Sequence, residues 1–447
     1  MNRKMIFSIF AILALTLAFA ACNKPPAAFT DLNAVTTHLT KAKGGTLDKP
    51  ITLIVNLPLG DMTNSGSGWQ RLLMIIENAG KNVAINLSAC QMAGTEFNPF
   101  STVSNGKFFI VSLVLPAAAK SIIGNRETPS FAHFYNLRDV SASEITSIGR
   151  NAFKDCTSLV NADFPVGVNV AEGAFSGCTS LEKVSFPLAT NIGNEAFNNC
   201  TSLTGISLPL ATSIGESAFD NCTSMTSVSF PASTTIANNP FRGCSSLTSF
   251  TLNGNGDLGV IEDGKALIRN STELISYPSA SGSIVMNNIT TIGRSGFNGN
   301  IYLSSVSFPT ATGIGIRAFR SCTSLINASF PAAASIGLGA FENTGTTALT
   351  IILGNKAPTV GGSMFNGVTG EKPVIVRVPA GATGYGSSPV NATARSWGNY
   401  FRGGDWTSSR DWWGEVTYSR TAAPNANIEL TIEVMADETE MVEEIVS

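Results

Sequence analysis

The 447-residue chain is longer than one ordinary hydrophobic core, so its length favours either several domains or an elongated repeat array. With 43% hydrophobic and 13% charged residues, the composition is too apolar for a disordered chain and too poorly charged for a typical helical enzyme. The formal net charge of −3 leaves no basic footprint, which excludes nucleic acid as a partner.

Residues 1–21 have the pattern of a cleaved export signal. A short positive region, Arg3 and Lys4, precedes the apolar run Met5–Phe19, which is shorter than the ~20 residues needed to span a bilayer. The sequence Phe-Ala-Ala-Cys that ends at Cys22 resembles a bacterial lipobox, with phenylalanine where leucine is usual. The resemblance implies that Cys22 is diacylated and anchors the chain to a membrane, with 22–30 as a tether. The alternative is an ordinary signal peptide that happens to contain a cysteine.

Residues 31–140 mix strand and helix patterns. The runs 51–55 and 83–87 predict strands, 69–79 is apolar at helical spacing, and 108–116 predicts another strand. We interpret this region as a small α/β N-terminal cap, a degenerate repeat that covers the first open coil of an array.

A 22-residue repeat organises residues 141–379. Each copy has a phenylalanine, and most copies have a cysteine three residues later and a leucine or methionine six residues later. Paired apolar residues at alternate positions follow, usually closed by a proline, and Ile-Gly stands upstream of the phenylalanine. The recurring phenylalanines are Phe153, Phe175, Phe197, Phe219, Phe241, Phe297, Phe319 and Phe341, with Phe365 slightly out of step.

The repeat predicts a coil with one short strand. Alternate residues of Leu-x-x-Val-x-Phe face one side, proline ends the strand, and the glycine after isoleucine is expected to permit a tight bend. Ordering one coil costs on the order of 30 kcal/mol, while five buried apolar anchors return roughly 8–15 kcal/mol. A single coil therefore cannot fold, and the array folds only as a stack.

The motif Ile-Gly-x-x-Ala-Phe-x-x-Cys-Thr-Ser-Leu-x-x-Val-Ser-Phe-Pro resembles the BspA-like, treponemal-type leucine-rich repeat. The resemblance covers 141–379. It implies a mainly β, right-handed, curved solenoid with a parallel sheet on its concave face, and surface-antigen or adhesin-like roles in bacteria. Residues 253–290 break the period with a hairpin signature, which predicts an insert.

Residues 380–447 are expected to form a β C-terminal cap followed by an acidic tail. This segment contains four of the five tryptophans, which either cap the last coil or stack on sugar rings. The aromatic and basic residues in question are Trp397, Tyr400, Phe401, Arg402, Trp406, Arg410, Trp412 and Trp413.

The outward side of the predicted strands is the candidate ligand face. It carries small hydroxyl and amide groups with almost no charge, a surface that suits a broad protein or glycan contact or merely keeps an exposed sheet soluble. The residues are Asn161, Asp163, Lys183, Ser185, Ser207, Ser227, Ser229, Ser249, Thr251, Ser305, Ser307, Asn327 and Ser329.

No catalytic, cofactor or metal site is predicted. Cysteines stacked one per coil run parallel, which suits neither a disulfide nor a tetrahedral zinc site, so buried thiols acting as small hydrophobes are expected. The Gly-rich segment 254–259 matches G-x-G-x-x-G, but a strand rather than a helix is predicted after it. The two histidines, His38 and His133, stand in no recognisable catalytic context.

The sequence therefore predicts a non-catalytic binding or adhesion lipoprotein, exported and exposed on the cell surface or outer membrane. Its expected partners are proteins or glycans of host or bacterial surfaces, with membrane contact through the lipid anchor only. A structural or coaggregation component of the envelope is the alternative, and a hydrolase of envelope glycans or peptides is a third, less favoured one.

Overall fold

The computed structural model describes residues 27–100, 105–124, 129–345, 349–361, 364–365 and 374–379, and the backbone of three strands between 406 and 435. Two compact units are present. The first holds the described residues up to Lys120 together with Asn136–Ser143, and the second holds Ser121–Tyr135 and the described residues from Glu144 onward.

The first unit is a small α/β structure, as the sequence predicted. Helix α1 spans Leu32–Lys41 and helix α2 spans Gly68–Ala79. A 3-10 turn covers Gly106–Phe109. The parallel strands of its main sheet are Ile51–Ile54, Val83–Asn86, Ile110–Val114 and Asp139–Ser141. Three shorter strands are Pro58–Gly60, Gln91–Met92 and Glu96–Phe97.

Helix α2 shows how the sequence sets these elements. The Ser67 side chain accepts a hydrogen bond from Gln70 N (3.2 Å) and caps the start of the helix. Gly80 ends it in the left-handed conformation, with φ of 58°. The side chains on one face are fully buried, at the spacing that helical periodicity predicts: Trp69, Leu72, Leu73 and Ile76.

The second unit is a parallel β-solenoid with coils of about 22 residues, and each regular coil contributes to two sheets. We call the sheet built from the Leu-x-x-Val-x-Phe segments the first sheet. Its strands are Asn161–Asp163, Lys183–Ser185, Gly205–Ser207, Ser227–Pro231, Ser249–Asn253, Gly282–Val285, Leu303–Ser307, Asn327–Phe330, Leu349–Leu353 and Val374–Pro379.

The second sheet is built mainly from the two-residue strands that precede the glycine of Ile-Gly. Hydrogen bonding divides it into two ladders, which are interrupted after Thr235–Ile236. Its strands are Ser121–Ile122, Ser147–Ile148, Asn169–Val170, Asn191–Ile192, Ser213–Ile214, Thr235–Ile236, Glu273–Ser276, Thr291–Ile292, Gly313–Ile314, Ser335–Ile336 and Thr359–Val360. In regular coils residue i pairs with residue i+22, as Asn169 does with Asn191. The sequence period is therefore the register of the sheets.

The recurring phenylalanines form the interior of the solenoid. Phe197, Phe219 and Phe241 are fully buried, and their rings are nearly parallel with centroids 5.3 and 5.6 Å apart. Beyond the insert a second stack begins with Tyr277, whose ring lies 6.0 Å from that of Phe297, and the buried residues from Ala266 to Val378 form one hydrophobic cluster. The prediction that the recurring phenylalanines face an apolar interior is confirmed on both sides of the insert.

The reason predicted for the Ile-Gly glycines was wrong. The left-handed residue lies two positions later in the coil, as at Glu195 (φ 55°) and Ser217 (φ 54°). A Cβ on Gly193 would lie 2.6 Å from Glu172 N, and one on Gly215 would lie 2.5 Å from Asn194 N. These glycines are required because the backbones of successive coils touch there.

An antiparallel meander leaves the array between its two halves. Strand Leu258–Ile261 pairs with Ala266–Arg269, which pairs with Glu273–Ser276, and this last strand joins the second sheet beside Thr291–Ile292. The coils on either side still meet, because the Asn239 side-chain amide donates a hydrogen bond to Ser295 O (2.6 Å).

Three strands form the predicted β structure at the C-terminal end: Trp406–Arg410, Val416–Arg420 and Glu429–Met435. They pair antiparallel in chain order, and the last pairs parallel with Val374–Pro379. Only the backbone of Trp406 and Arg410 is described. The other aromatic and basic candidates lie outside the described residues: Trp397, Tyr400, Phe401, Arg402, Trp412 and Trp413.

Candidate functional site

The outward side of the first sheet is open in its N-terminal coils. Residues at alternate positions point away from the buried row formed by Ala162, Ile206, Val228 and their equivalents. The predicted face residues that are exposed or half-buried in these coils are Asn161, Asp163, Lys183, Ser185, Ser207, Ser227, Ser229, Ser249 and Thr251.

These side chains are held in register by the backbone ladder. Ser207 pairs with Ser229, and Ser229 with Thr251, so equivalent groups follow one another about 4.8 Å apart. Asp163 and Lys183 are the only charged members of the face, which makes it a nearly neutral row of hydroxyl and amide groups. Between residues 161 and 251 the ladder is interrupted once, between Lys183–Ser185 and Gly205–Ser207, where Thr204 N still reaches Glu182 O at 3.5 Å.

The predicted face is not open in the C-terminal coils. Ser305, Ser307 and Ser329 are only 8%, 4% and 3% exposed, so placing them on an accessible surface was wrong. Asn327 is half-buried. The register partner of Ser329 is Ile352, an apolar residue that is itself 5% exposed. The outward side is therefore packed here, which fits the unbroken apolar run of strand Leu349–Leu353.

The cysteine row is buried, but its thiols do more than fill space. Cys200 Sγ donates to Phe175 O (3.2 Å), a carbonyl one coil upstream, and Thr344 Oγ1 makes the equivalent bond to Phe319 O (2.5 Å). The same bond recurs from Cys156, Cys178, Cys222, Cys244 and Cys322. The thiol thus gives an interior carbonyl a second donor beside a backbone N–H, such as that of Cys178 at Phe175 O (3.1 Å), a role that the interpretation as a plain small hydrophobe missed.

Burial also decides the chemistry of these thiols. Desolvation raises the pKa of Cys156, Cys200 and Cys322 far above the ordinary value of 9.0. A thiol that stays protonated is a poor nucleophile and a poor metal ligand. Within the described residues, no three His, Cys, Asp or Glu side chains are grouped so that they could hold a metal ion.

The glycine-rich segment and the two histidines lie in surroundings that do not form a phosphate-binding or catalytic site. The glycine-rich segment 254–259 runs into strand Leu258–Ile261, so no helix N-terminus faces it for a phosphate to bind. His133 is exposed, with Nδ1 2.6 Å from the Tyr135 hydroxyl, and the His38 ring packs 5.0 Å from that of Phe29. Cys22 lies outside the described residues.

Sequence reasoning missed a polar ladder on the second sheet. The Asn191 amide donates to Asn169 Oδ1 (2.8 Å), and Ser213 Oγ donates to Asn191 Oδ1 (2.7 Å). Asn169 donates in turn to Ser147 Oγ (3.3 Å). The signal was available, because asparagine or serine recurs there at the 22-residue period. These bonds tie the coils together and occupy the polar groups with one another.

The chain matches the sequence profile of the BspA type leucine-rich repeat region, in six copies, over residues 123–248, 168–284 and 276–372. No curated protein matches it. Within the described part of the chain, no helix combines the length and apolar character needed to cross a bilayer.

Several solved structures are similar to this chain. One is a leucine rich cell surface protein from Faecalibacterium prausnitzii (20% identity, 73% of this chain and 88% of that one, TM-score 0.44). Another is a leucine-rich repeat protein from Eubacterium ventriosum (19%, 52% and 83%, TM-score 0.38). A third is the pneumococcal vaccine antigen PcpA (16%, 70% and 79%, TM-score 0.36). The family match extends over more than half of the residues, and the chain belongs to the BspA type leucine-rich repeat family.

Proposed function

We propose that this protein is an exported, lipid-anchored surface protein that binds a protein or glycan partner without catalysis, through the outward face of the first sheet between residues 161 and 251. The observation that carries the proposal is the row of polar side chains held in register on that face. BspA type repeats are suited to binding or adhesion, and the proposal assigns that role to a defined surface.

The geometry of the face favours recognition. Serine, threonine and asparagine lose little side-chain entropy when a ligand orders them, and each offers both a hydrogen-bond donor and an acceptor. The backbone beneath is fixed by inter-coil bonds such as Leu208 N to Ser229 O (2.8 Å). A ligand therefore meets a preorganised surface, which lowers the entropic cost of binding.

A substitution pair tests the face. The double variant Ser207→Glu/Ser227→Glu places two charges on the exposed face, and Ser335→Glu places one on an exposed position of the second sheet. Fluorescently labelled protein lacking residues 1–21 is titrated onto intact bacterial cells, epithelial cells and immobilised matrix proteins. We expect saturable binding that the double variant loses and Ser335→Glu keeps. No saturable binding to any target, or equal binding by both variants, contradicts the proposal.

A further inference from the structure

The first sheet has an open strand edge where the meander leaves the array. Strand Ser249–Asn253 ends one ladder, and Gly282–Val285 begins the next as the terminal strand of an eight-stranded sheet. The meander replaces the next coil as the neighbour of strand Ser249–Asn253. Gly264 O accepts a hydrogen bond from Phe250 N (2.7 Å), whereas in the regular coils a residue of the next coil accepts the equivalent bond. Among the described residues, strand Gly282–Val285 has no partner strand on its other side.

The free edge belongs to Ser283 and Val285. Gly282 N donates to Tyr302 O (3.0 Å) and Met286 N to Ser307 O (2.9 Å), so the even-numbered residues bond to the following coil. Backbone groups alternate between the two edges of a strand, which aims the N–H and C=O of the odd-numbered residues outward. Both side chains are exposed, Val285 by 50%. An edge of this kind is a template for another strand.

The hairpin turn of the meander gives this edge an acidic neighbour. Gly264 O accepts a hydrogen bond from Phe250 N (2.7 Å), so the adjoining Glu262 and Asp263 lie at the break between the two ladders. Burial raises the pKa of Tyr277, and the charges of Glu262 and Asp263 raise it further. Both carboxylates are exposed, and neither forms an ion pair within the described chain. Lys265 only partly offsets them, which leaves the turn with a net negative charge.

We propose that the open edge of strand Gly282–Val285 binds an extended, lysine- or arginine-containing peptide segment of a partner protein by strand addition. Backbone bonds to Ser283 and Val285 supply the affinity, and the Val285 side chain offers an apolar cross-strand contact. Glu262 and Asp263 select for positive charge. This edge is separate from the hydroxyl face between 161 and 251, so either proposal can fail while the other stands.

A synthetic peptide tests the edge. The probe is a fluorescein-labelled octapeptide of alternating valine and threonine with a lysine at each end, titrated against the full chain and followed by anisotropy. We expect saturable binding, about tenfold weaker when glutamate replaces the lysines. Strand addition uses one edge of the peptide only. At least one of two peptides N-methylated at alternate residues therefore keeps its affinity, and the peptide methylated at every residue loses it.

Variants of the chain locate the site. Val285→Pro removes an N–H from the open edge without removing a bond to the next coil, and Val285→Thr keeps that N–H with a similar shape. We expect the proline variant to lose binding, the threonine variant to keep it, and Glu262→Gln/Asp263→Asn to erase the preference for lysine. Absence of saturable binding, or unchanged binding of the fully methylated peptide, overturns the proposal. Unchanged binding by a folded proline variant also overturns it, and if that variant does not fold, the methylated peptides decide.

Discussion

Replacing Phe219 by alanine should destabilise the middle of the array more than most single substitutions. The side chain is fully buried between Phe197 and Phe241, with ring centroids 5.3 and 5.6 Å away. Truncating a buried phenylalanine to alanine costs about 3–5 kcal/mol through lost apolar transfer and the cavity left behind. Each ring pair accounts for roughly 0.5–1.5 kcal/mol beyond its buried area. Both pairs disappear together, so we expect a loss in the upper part of that range.

The damage should also spread to the neighbouring coils. Phe197 N donates to Ala218 O (2.7 Å), and Phe219 N donates to Pro240 O (2.8 Å), so these backbone bonds join three coils around the ring. Hydrogen exchange measured by mass spectrometry should show faster exchange in peptides that contain these amides. Peptides from residues 303–341 should change much less, because stability in a solenoid depends on nearest neighbours.

Urea denaturation measures the magnitude, with Phe219→Leu as the control. Leucine keeps most of the apolar volume and already occupies an interior position at Leu208, so its loss should be clearly smaller. A loss below about 1 kcal/mol for the alanine variant, or equal exchange in near and distant coils, would refute the reasoning.

Two further predictions concern the packed interior, and a third concerns the lipid anchor expected from the sequence. Gly315→Ala should lower the free energy of unfolding by about 1–3 kcal/mol in urea denaturation, because its Cβ would lie 2.7 Å from Gly293 C. Gly313→Ala should be tolerated, since the atom nearest to its Cβ would be 3.7 Å away. Equal losses would contradict the close approach of the coils at Gly315. Burial raises the pKa of the stacked thiols from 9.0, so both states hold the proton below pH 9 and only the unfolded chain releases it above. The urea midpoint should therefore fall as pH rises from 8 to 10.5, more steeply than in a variant with Cys178 and Cys200 replaced by serine; identical slopes would count against protonated thiols. Cys22→Ala should move the protein from the membrane fraction to the soluble fraction after detergent partitioning, while Cys90→Ala, at a buried cysteine, should not; unchanged partitioning of the first variant would exclude the lipid anchor.

The periodic part of the fold could be predicted because the sequence period equals the spacing between residues that pair in neighbouring coils. The spacing from Phe197 to Phe219 is the spacing of the coils, and the alternation around Val228 separates the buried row from the outward row. Helix α2 could be predicted as well, because its apolar residues follow the helical period and Gly80 marks its end. In these segments local pattern and tertiary packing agree.

The role of the Ile-Gly glycines and the burial of the C-terminal serines could not be predicted, because both depend on packing contacts that the residue types do not reveal. The Ile-Gly glycine looked like a bend residue, but the need for it comes from the backbone of the preceding coil. The burial of Ser305 and Ser329 depends on what packs against the outer side of the sheet, which a serine does not reveal. The run Leu349–Leu353 carried a signal, because strands buried on both faces lose their alternation.

The proposed binding face requires the outward side of the first sheet to be open in the N-terminal coils and packed in the C-terminal coils. Maleimide labelling of single cysteine variants measures this, in a background carrying Cys22→Ala, because the described native cysteines are all buried. Ser207→Cys and Ser227→Cys should react at nearly the rate of a free thiol, and Ser305→Cys and Ser329→Cys should react much more slowly. Equal rates at all four positions, or slow reaction at Ser207→Cys, would contradict an open polar face in the N-terminal coils.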